Sequence, residues 1–197
     1  MILCCDLSTK CTGWSKFSKD GKLIERGRIV PADDIDNYFK IHYIVEKLKE
    51  LYKTVDEIVI EDLYVGINPK SVLYLARLSG AVAYSWLEYK YRPPVFYNAS
   101  HARKLAGING RCQKAEVQLF VLEKYKFCSK TDLKKYSADV TKYYGMLKDK
   151  VITKGSFKYK MDKLSKLIDL ETGIGEDVAD SIILGLAYGK DDINEKT

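Results

Sequence analysis

The chain has 197 residues, of which 46% are hydrophobic and 12% aromatic, a size and composition that support one folded domain with a substantial core and exclude wholesale disorder. No run approaches the ~20 consecutive apolar residues of a bilayer-spanning helix, and MILCCDL lacks the basic start and the cleavage site of a secretion signal. The net charge of +6 permits a polyanionic partner without requiring one.

The N-terminal run predicts a buried strand over Ile2–Leu7. Thr12–Phe17, a turn at Asp20-Gly21 and Leu23–Val30 read as a hairpin or meander. Asp33 or Asp34 can cap a helix whose apolar residues Tyr38, Ile41, Val45, Leu48 and Tyr52 recur at spacings of three and four. EIVIE, Glu57–Glu61, is the next strand. Pro69 fits the first turn of a helix running to about Tyr89, which Pro93-Pro94 closes. A brief strand at Val95–Tyr97 precedes helices at about Ser100–Leu105 and Cys112–Phe127. Gly145 and Gly155 are the expected breaks in the segment that follows. A final helix spans about Glu176–Tyr188, and Lys190–Thr197 reads as a polar tail. This order gives an α/β fold, a mixed sheet flanked by helices in a single domain, with no internal repeat.

Between Cys128 and Thr172 eleven lysines face six acids, so nearly all of the excess positive charge lies in one segment. Tyr136, Tyr143, Tyr144, Phe157 and Tyr159 are interleaved with the lysines. A surface that grips phosphates and stacks bases has this composition, and so does a solvated Lys-rich helical hairpin.

The cysteines, Cys4, Cys5, Cys11, Cys112 and Cys128, are odd in number and form no C-x-x-C, so they read as reduced thiols of a cytoplasmic protein. With only His42 and His101 beside them, a zinc centre is hard to build. Any metal rests on carboxylates, the donors suited to magnesium or manganese. Asp6 ends the first buried strand and Glu61 ends EIVIE, and ligands of open α/β sheets bind beyond strand carboxyl ends. Asp177 and Asp180 stand three residues apart, about 60° apart around a helix, and are expected to project from one face while Ala179, Ile182, Ile183 and Leu186 pack on the other. Four such carboxylates could hold two divalent ions roughly 4 Å apart, the arrangement that clamps both oxygens of phosphodiester hydrolysis.

The opening ILCCDLSTKCTGW resembles that of RuvC-type Holliday-junction resolvases, in which a strand ends in Asp and Thr-Gly follows, here Thr12-Gly13. IVIEDLYVGINPKSVLYLARLSGAV, NGRCQKAEVQLFV and GEDVADSIILGLAY are similar to the family's later motifs and occur in its order. The resemblance implies an RNase H-like fold, a five-stranded mixed sheet with a Lys-rich, mostly helical insertion at about 128–172. It implies metal-binding catalytic roles for Asp6, Glu61, Asp177 and Asp180, with two Mg2+ ions or Mn2+ in their place. Lys114 matches a lysine near the scissile phosphate, and Tyr64 an aromatic that packs on an unstacked base. Asn68 and Ser71 match positions where a helix cap or a phosphate contact is expected, and Arg111, Lys158 and Lys160 are further expected DNA contacts. The chain departs from the family in having Leu7-Ser8 where Pro-Gly is usual, and in the length of its insertion.

The implied activity is resolution of four-way junctions by paired symmetric nicks. A two-fold symmetric junction calls for a homodimer, and the resemblance places its contact on the helix after Pro69, at Leu73, Ala76, Gly80, Ala81 and Ala83. A branch-migration helicase partner is not readable from the sequence. The sequence does not disclose the host; its abundance of lysine, isoleucine and tyrosine points to an AT-rich genome, and the expected location is the cytoplasm of a bacterium, for a bacterial or a phage-encoded chain alike. Among the rivals, a debranching nuclease that also cuts flaps and forks would use the Lys-rich insertion. An actin-like ATPase would need a second phosphate loop for which the chain is too short. A DEDD-type exonuclease would need Glu where Ser8 stands, and a silent DNA-binding module would have no need of all four acids.

Overall fold

In a computed structural model, residues 1–63 and 69–194 are described, with 69–71 and 191–194 described for the backbone alone. Among these residues five strands form one sheet: β1 (Ile2–Asp6), β2 (Thr12–Phe17), β3 (Leu23–Ile29), β4 (Glu57–Glu61) and β5 (Val95–Tyr97), in the order β3-β2-β1-β4-β5. β2 runs antiparallel to β1 and β3, while β1, β4 and β5 are mutually parallel. The helices are α1 (Asn37–Tyr52), α2 (Pro69–Lys90), α3 (Ala99–Ala106), α4 (Lys114–Tyr125), α5 (Lys130–Lys148), α6 (Lys154–Thr172) and α7 (Glu176–Asn194).

β1 is central, and the alternation of its side chains divides the core in two. Leu3 and Cys5, with Ile58 and Ile60 of β4, meet Ile44 and Leu48 of α1 and Leu78, Val82 and Trp86 of α2. Ile2 and Cys4, with Val59, meet Val121 of α4, Met161 and Ile168 of α6, and Val178 and Ile182 of α7. Each fully buried aliphatic side chain contributes about 1.5–3 kcal/mol, so both faces are strongly held.

Several boundaries differ from the expected ones. Asp36, not Asp33 or Asp34, caps α1, its Oδ1 accepting from the Tyr38 N–H at 2.8 Å; a cap must directly precede the first turn. Gln113 caps α4 in a capping box with Glu116, so that helix opens at Lys114 rather than Cys112. Gly145 breaks nothing and lies inside α5, and Gly155 sits in the first turn of α6. One interior glycine costs only about 1 kcal/mol, and the apolar spacing of Leu133, Tyr136, Val140 and Leu147, all packed on the core, outweighs it. The turn falls instead between Asp149 and Thr153, with Lys150 at φ 57° and Thr153 capping α6. α7 continues to Asn194, into the stretch read as a tail.

The insertion is no solvated hairpin. Phe157, Met161, Leu164 and Ile168 are buried along one side of α6. Tyr136 of α5 is buried too, and its hydroxyl donates to Glu171. Its ring and that of Phe157 are thus packing groups, not a base-stacking platform, and Tyr144 lies 4.9 Å from Phe157 and donates to Glu116. Of the five interleaved aromatics Tyr159 is the most exposed, at 69%.

Candidate metal centre

The two strand-end acids meet because of register and parity. β1 and β4 pair in parallel with Cys4 opposite Val59 and Cys5 opposite Ile60. Asp6 and Glu61 are therefore the next pair, on the same face as Cys4 and Val59, which is the face that α7 crosses. Helix α7 approaches closely because β2 has no side chain at Gly13. A Cβ there would stand 2.1 Å from the carbonyl carbon of Asp177. Beside it, buried Thr12 closes the loop after Asp6, its Oγ1 donating to the Ser8 carbonyl at 2.9 Å and accepting from the Ser8 N–H at 3.2 Å. The Thr12-Gly13 pair thus fixes the loop and admits the helix.

Asp6, Glu61 and Asp180 each present an oxygen within 4.8 Å of the others. Burial is the main cause pushing all three carboxyls above their ordinary range, and the neighbouring acids push Asp6 further, with Glu61 foremost. Glu61 is raised to about 7. Buried oxygens that repel one another suit a hard divalent cation, which would neutralise them and take oxygen ligands from each. Asp177 stands at the margin of this group, its carboxyl raised by burial and by Glu176, and held down by a hydrogen bond from the Cys11 thiol. Both acids of α7 are half-buried while Ala179, Ile182 and Ile183 are buried, as their spacing predicts, and Leu186 is half-buried. α7 is covered on most sides, with Val178, Ala179, Ser181 and Ile182 buried, and Asp180 points into the sheet-side centre.

Three partners were missed in the sequence. Arg103 of α3 forms an ion pair with Asp180, with Nη2 3.0 Å from Oδ1, and both side chains are largely buried. Its Nε is buried without a partner. Glu176 pairs with Lys114, which brings that lysine to the mouth of the centre. Cys11 is the third. These contacts join residues far apart in the chain, and no local pattern announces them.

The remaining expected DNA contacts separate. Lys158 lines a cleft of about 450 Å3 together with Lys114, Glu176 and Asp177. Lys160 instead lies 5.4 Å over the Tyr143 ring, and the Arg111 N–H donates to Asn109 at 2.9 Å; neither lines that cleft. Tyr64 and Asn68, and the side chain of Ser71, lie outside the described residues.

Comparison with known proteins follows the same lines. Residues 2–140 match the family model described as crossover junction endodeoxyribonuclease RuvC. Over 125 residues, 61% of this chain and 80% of the other, it is 30% identical to the crossover junction endodeoxyribonuclease RuvC of Aliarcobacter butzleri (strain RM4018). A solved structure of RuvC from Thermus thermophilus is similar with a TM-score of 0.61 at 13% identity, covering 98% of this chain and 96% of that one. T. thermophilus RuvC in complex with a Holliday junction substrate gives a TM-score of 0.60 at 8% identity, covering 98% and 94%. At such identities the two structures speak for the fold, which is RNase H-like as the sequence implies. The family match ends inside α5, so α6 and the acids of α7 lie beyond it.

Proposed function

The chain belongs to the RuvC family of crossover junction endodeoxyribonucleases, and we propose that it resolves four-way DNA junctions by paired symmetric nicks, acting as a homodimer in the cytoplasm of a bacterium. The observation that carries this reading is the convergence of Asp6, Glu61 and Asp180 within 4.8 Å. With Asp177 they would hold two divalent ions, Mg2+ with Mn2+ as a substitute. Such ions, when bound, supply a water nucleophile active near neutral pH and offset charge on the attacking and leaving oxygens.

The chain's own residues prepare that chemistry. Burial strengthens every electrostatic interaction at the centre. Arg103 holds the Asp180 carboxylate in place against the sheet. Lys114, paired with Glu176 at the mouth, can turn its ammonium to the scissile phosphate as charge develops there. Of the residues expected at a dimer contact on α2, Leu73 and Gly80 are exposed, whereas Ala76 and Ala83 are half-buried and Ala81 packs on the core; Tyr84 and Leu87 extend the exposed side on which a second copy would dock. The five unpaired cysteines suit a reducing compartment, and no helix among the described residues is long and apolar enough to cross a membrane.

The test is cleavage of a mobile four-way junction, a flap, a fork and plain duplex at one protein concentration with magnesium. Symmetric nicks in the junction, with 5′-phosphate ends and little cutting elsewhere, are expected. Equal cutting of flaps and forks would replace this reading with that of a debranching nuclease, to which α5 and α6 would add phosphate grip.

A further inference from the structure

α6 contributes a wall to the cleft beside the carboxylates as well as a face to the core. Its buried residues seat it against α4 and α5, and Lys158, Asp162, Lys166 and Asp169 then face the cleft shared with Lys114 and Asp177. Positions 158, 162 and 166 are successive i, i+4 neighbours, so they form one row along the helix. A strut from the sheet fixes that row. Arg28 of β3 forks onto Asp169, with Nη2 2.6 Å from Oδ1 and Nη1 3.2 Å from Oδ2, and Nη2 also donates to the Gly173 carbonyl at 3.1 Å.

The cations of this cleft differ in their commitments. Arg28 is bound to Asp169 and Lys114 to Glu176. Lys158 and Lys166 are exposed and have no ion-pair partner among the described residues. Eight residues apart on a helix, they span about 12 Å, which at 3.4 Å of axis per phosphate covers about three consecutive phosphates of one strand. With Asp162 between them the row has a net charge of +1. That is too little to hold an isolated anion tightly, but enough to guide a strand already anchored at the carboxylates.

We propose that this wall is a phosphate subsite, in which Lys158 and Lys166 take the backbone phosphates next to the scissile bond of the cut strand and Arg28–Asp169 keeps the row in register with the metal centre. The proposal rests on the nuclease reading of the adjoining acids. It extends the DNA contact expected at Lys158 to Lys166 and Arg28–Asp169 and makes α6 part of the active cleft, beyond the segment that the family model matches.

The experiment uses the full chain and a four-way junction, with Ca2+ replacing Mg2+ so that binding is read without cutting. The pair Lys158→Gln and Lys166→Gln, both at exposed positions, should lower the slope of log affinity against log salt by roughly 1.4 to 1.8, the counterions of two phosphates. Neutral methylphosphonates placed within three nucleotides of the cut should weaken wild-type binding several-fold and leave the double variant's affinity unchanged. An unchanged slope, or equal methylphosphonate sensitivity in both proteins, overturns the subsite. So does an equal loss from Lys154→Gln with Lys163→Gln, exposed lysines of α6 that do not line the cleft. A wild-type chain that cuts no branched DNA with Mg2+ or Mn2+ would sink the nuclease reading instead, and the binding assay would still decide the subsite.

Discussion

The two faces of the sheet use the same alternating strands for opposite purposes. On the α1/α2 face, β1 and β4 present Leu3, Cys5, Ile58 and Ile60 to a layer of aliphatic and aromatic side chains, closed by Tyr52 and Trp86 packed edge to face at 5.1 Å. On the α7 face the same strands present Cys4 and Val59, and one step further Asp6 and Glu61. A two-residue advance along each strand thus changes an apolar layer into a cluster of mutually repelling acids. One face stabilises the fold, and the other gives up stability by gathering charge that a cation would neutralise.

That contrast can be broken at its charged end first. Asp6→Asn should lower the rate of junction cleavage by about 10³-fold or more, since one of three converging ligands is lost, while junction binding in Ca2+ stays near wild type. The same variant should unfold at a higher temperature without metal, by roughly 0.5–2 kcal/mol, because a repelling carboxylate is gone. Rate assays and thermal melts on the same preparation check both. A variant that loses activity and stability together would mean that Asp6 has a structural role.

On the quiet face, Trp86→Ala should cost about 3–5 kcal/mol through the cavity it leaves, a fall in melting temperature on the order of 10 °C. At a temperature where the variant remains folded, its Mn2+ affinity should match wild type. A weakened affinity would show that the two faces are coupled, not separate.

The same acids also set a dependence on pH. Glu61 is raised to about 7, and Asp6 and Asp180 are raised as well. The native metal-free chain therefore holds protons that the unfolded chain has released, and stability falls as pH climbs from about 4.5 to 7, by roughly 1–3 kcal/mol. Melting curves across that window should show the decline, and Asp6→Asn should flatten it.

Sequence legibility follows the range of the interactions. The strands, their order of appearance and the two strand-end acids are visible because alternation and β-branched runs are local signals. Asp180 and Asp177 are visible as helix neighbours, but which of them enters the centre depends on how α7 lies against Gly13, a contact between residues more than 160 positions apart. Arg103 lies 77 residues from Asp180 and carries no local mark. The aromatics of the basic segment misled for a related reason. Their spacing gives a helix face but does not say whether that face meets bases or the core.

The central claim is that Asp6, Glu61 and Asp180 form one cation-binding centre. Calorimetric titration with Mn2+ at pH 6 and pH 7.5, on wild type and Glu61→Gln, tests it most directly. The account predicts binding by the wild type with more protons released per ion at pH 6 than at pH 7.5, and at least a tenfold loss of affinity in Glu61→Gln. Equal Mn2+ affinity in the two proteins, with no proton release at either pH, would contradict it.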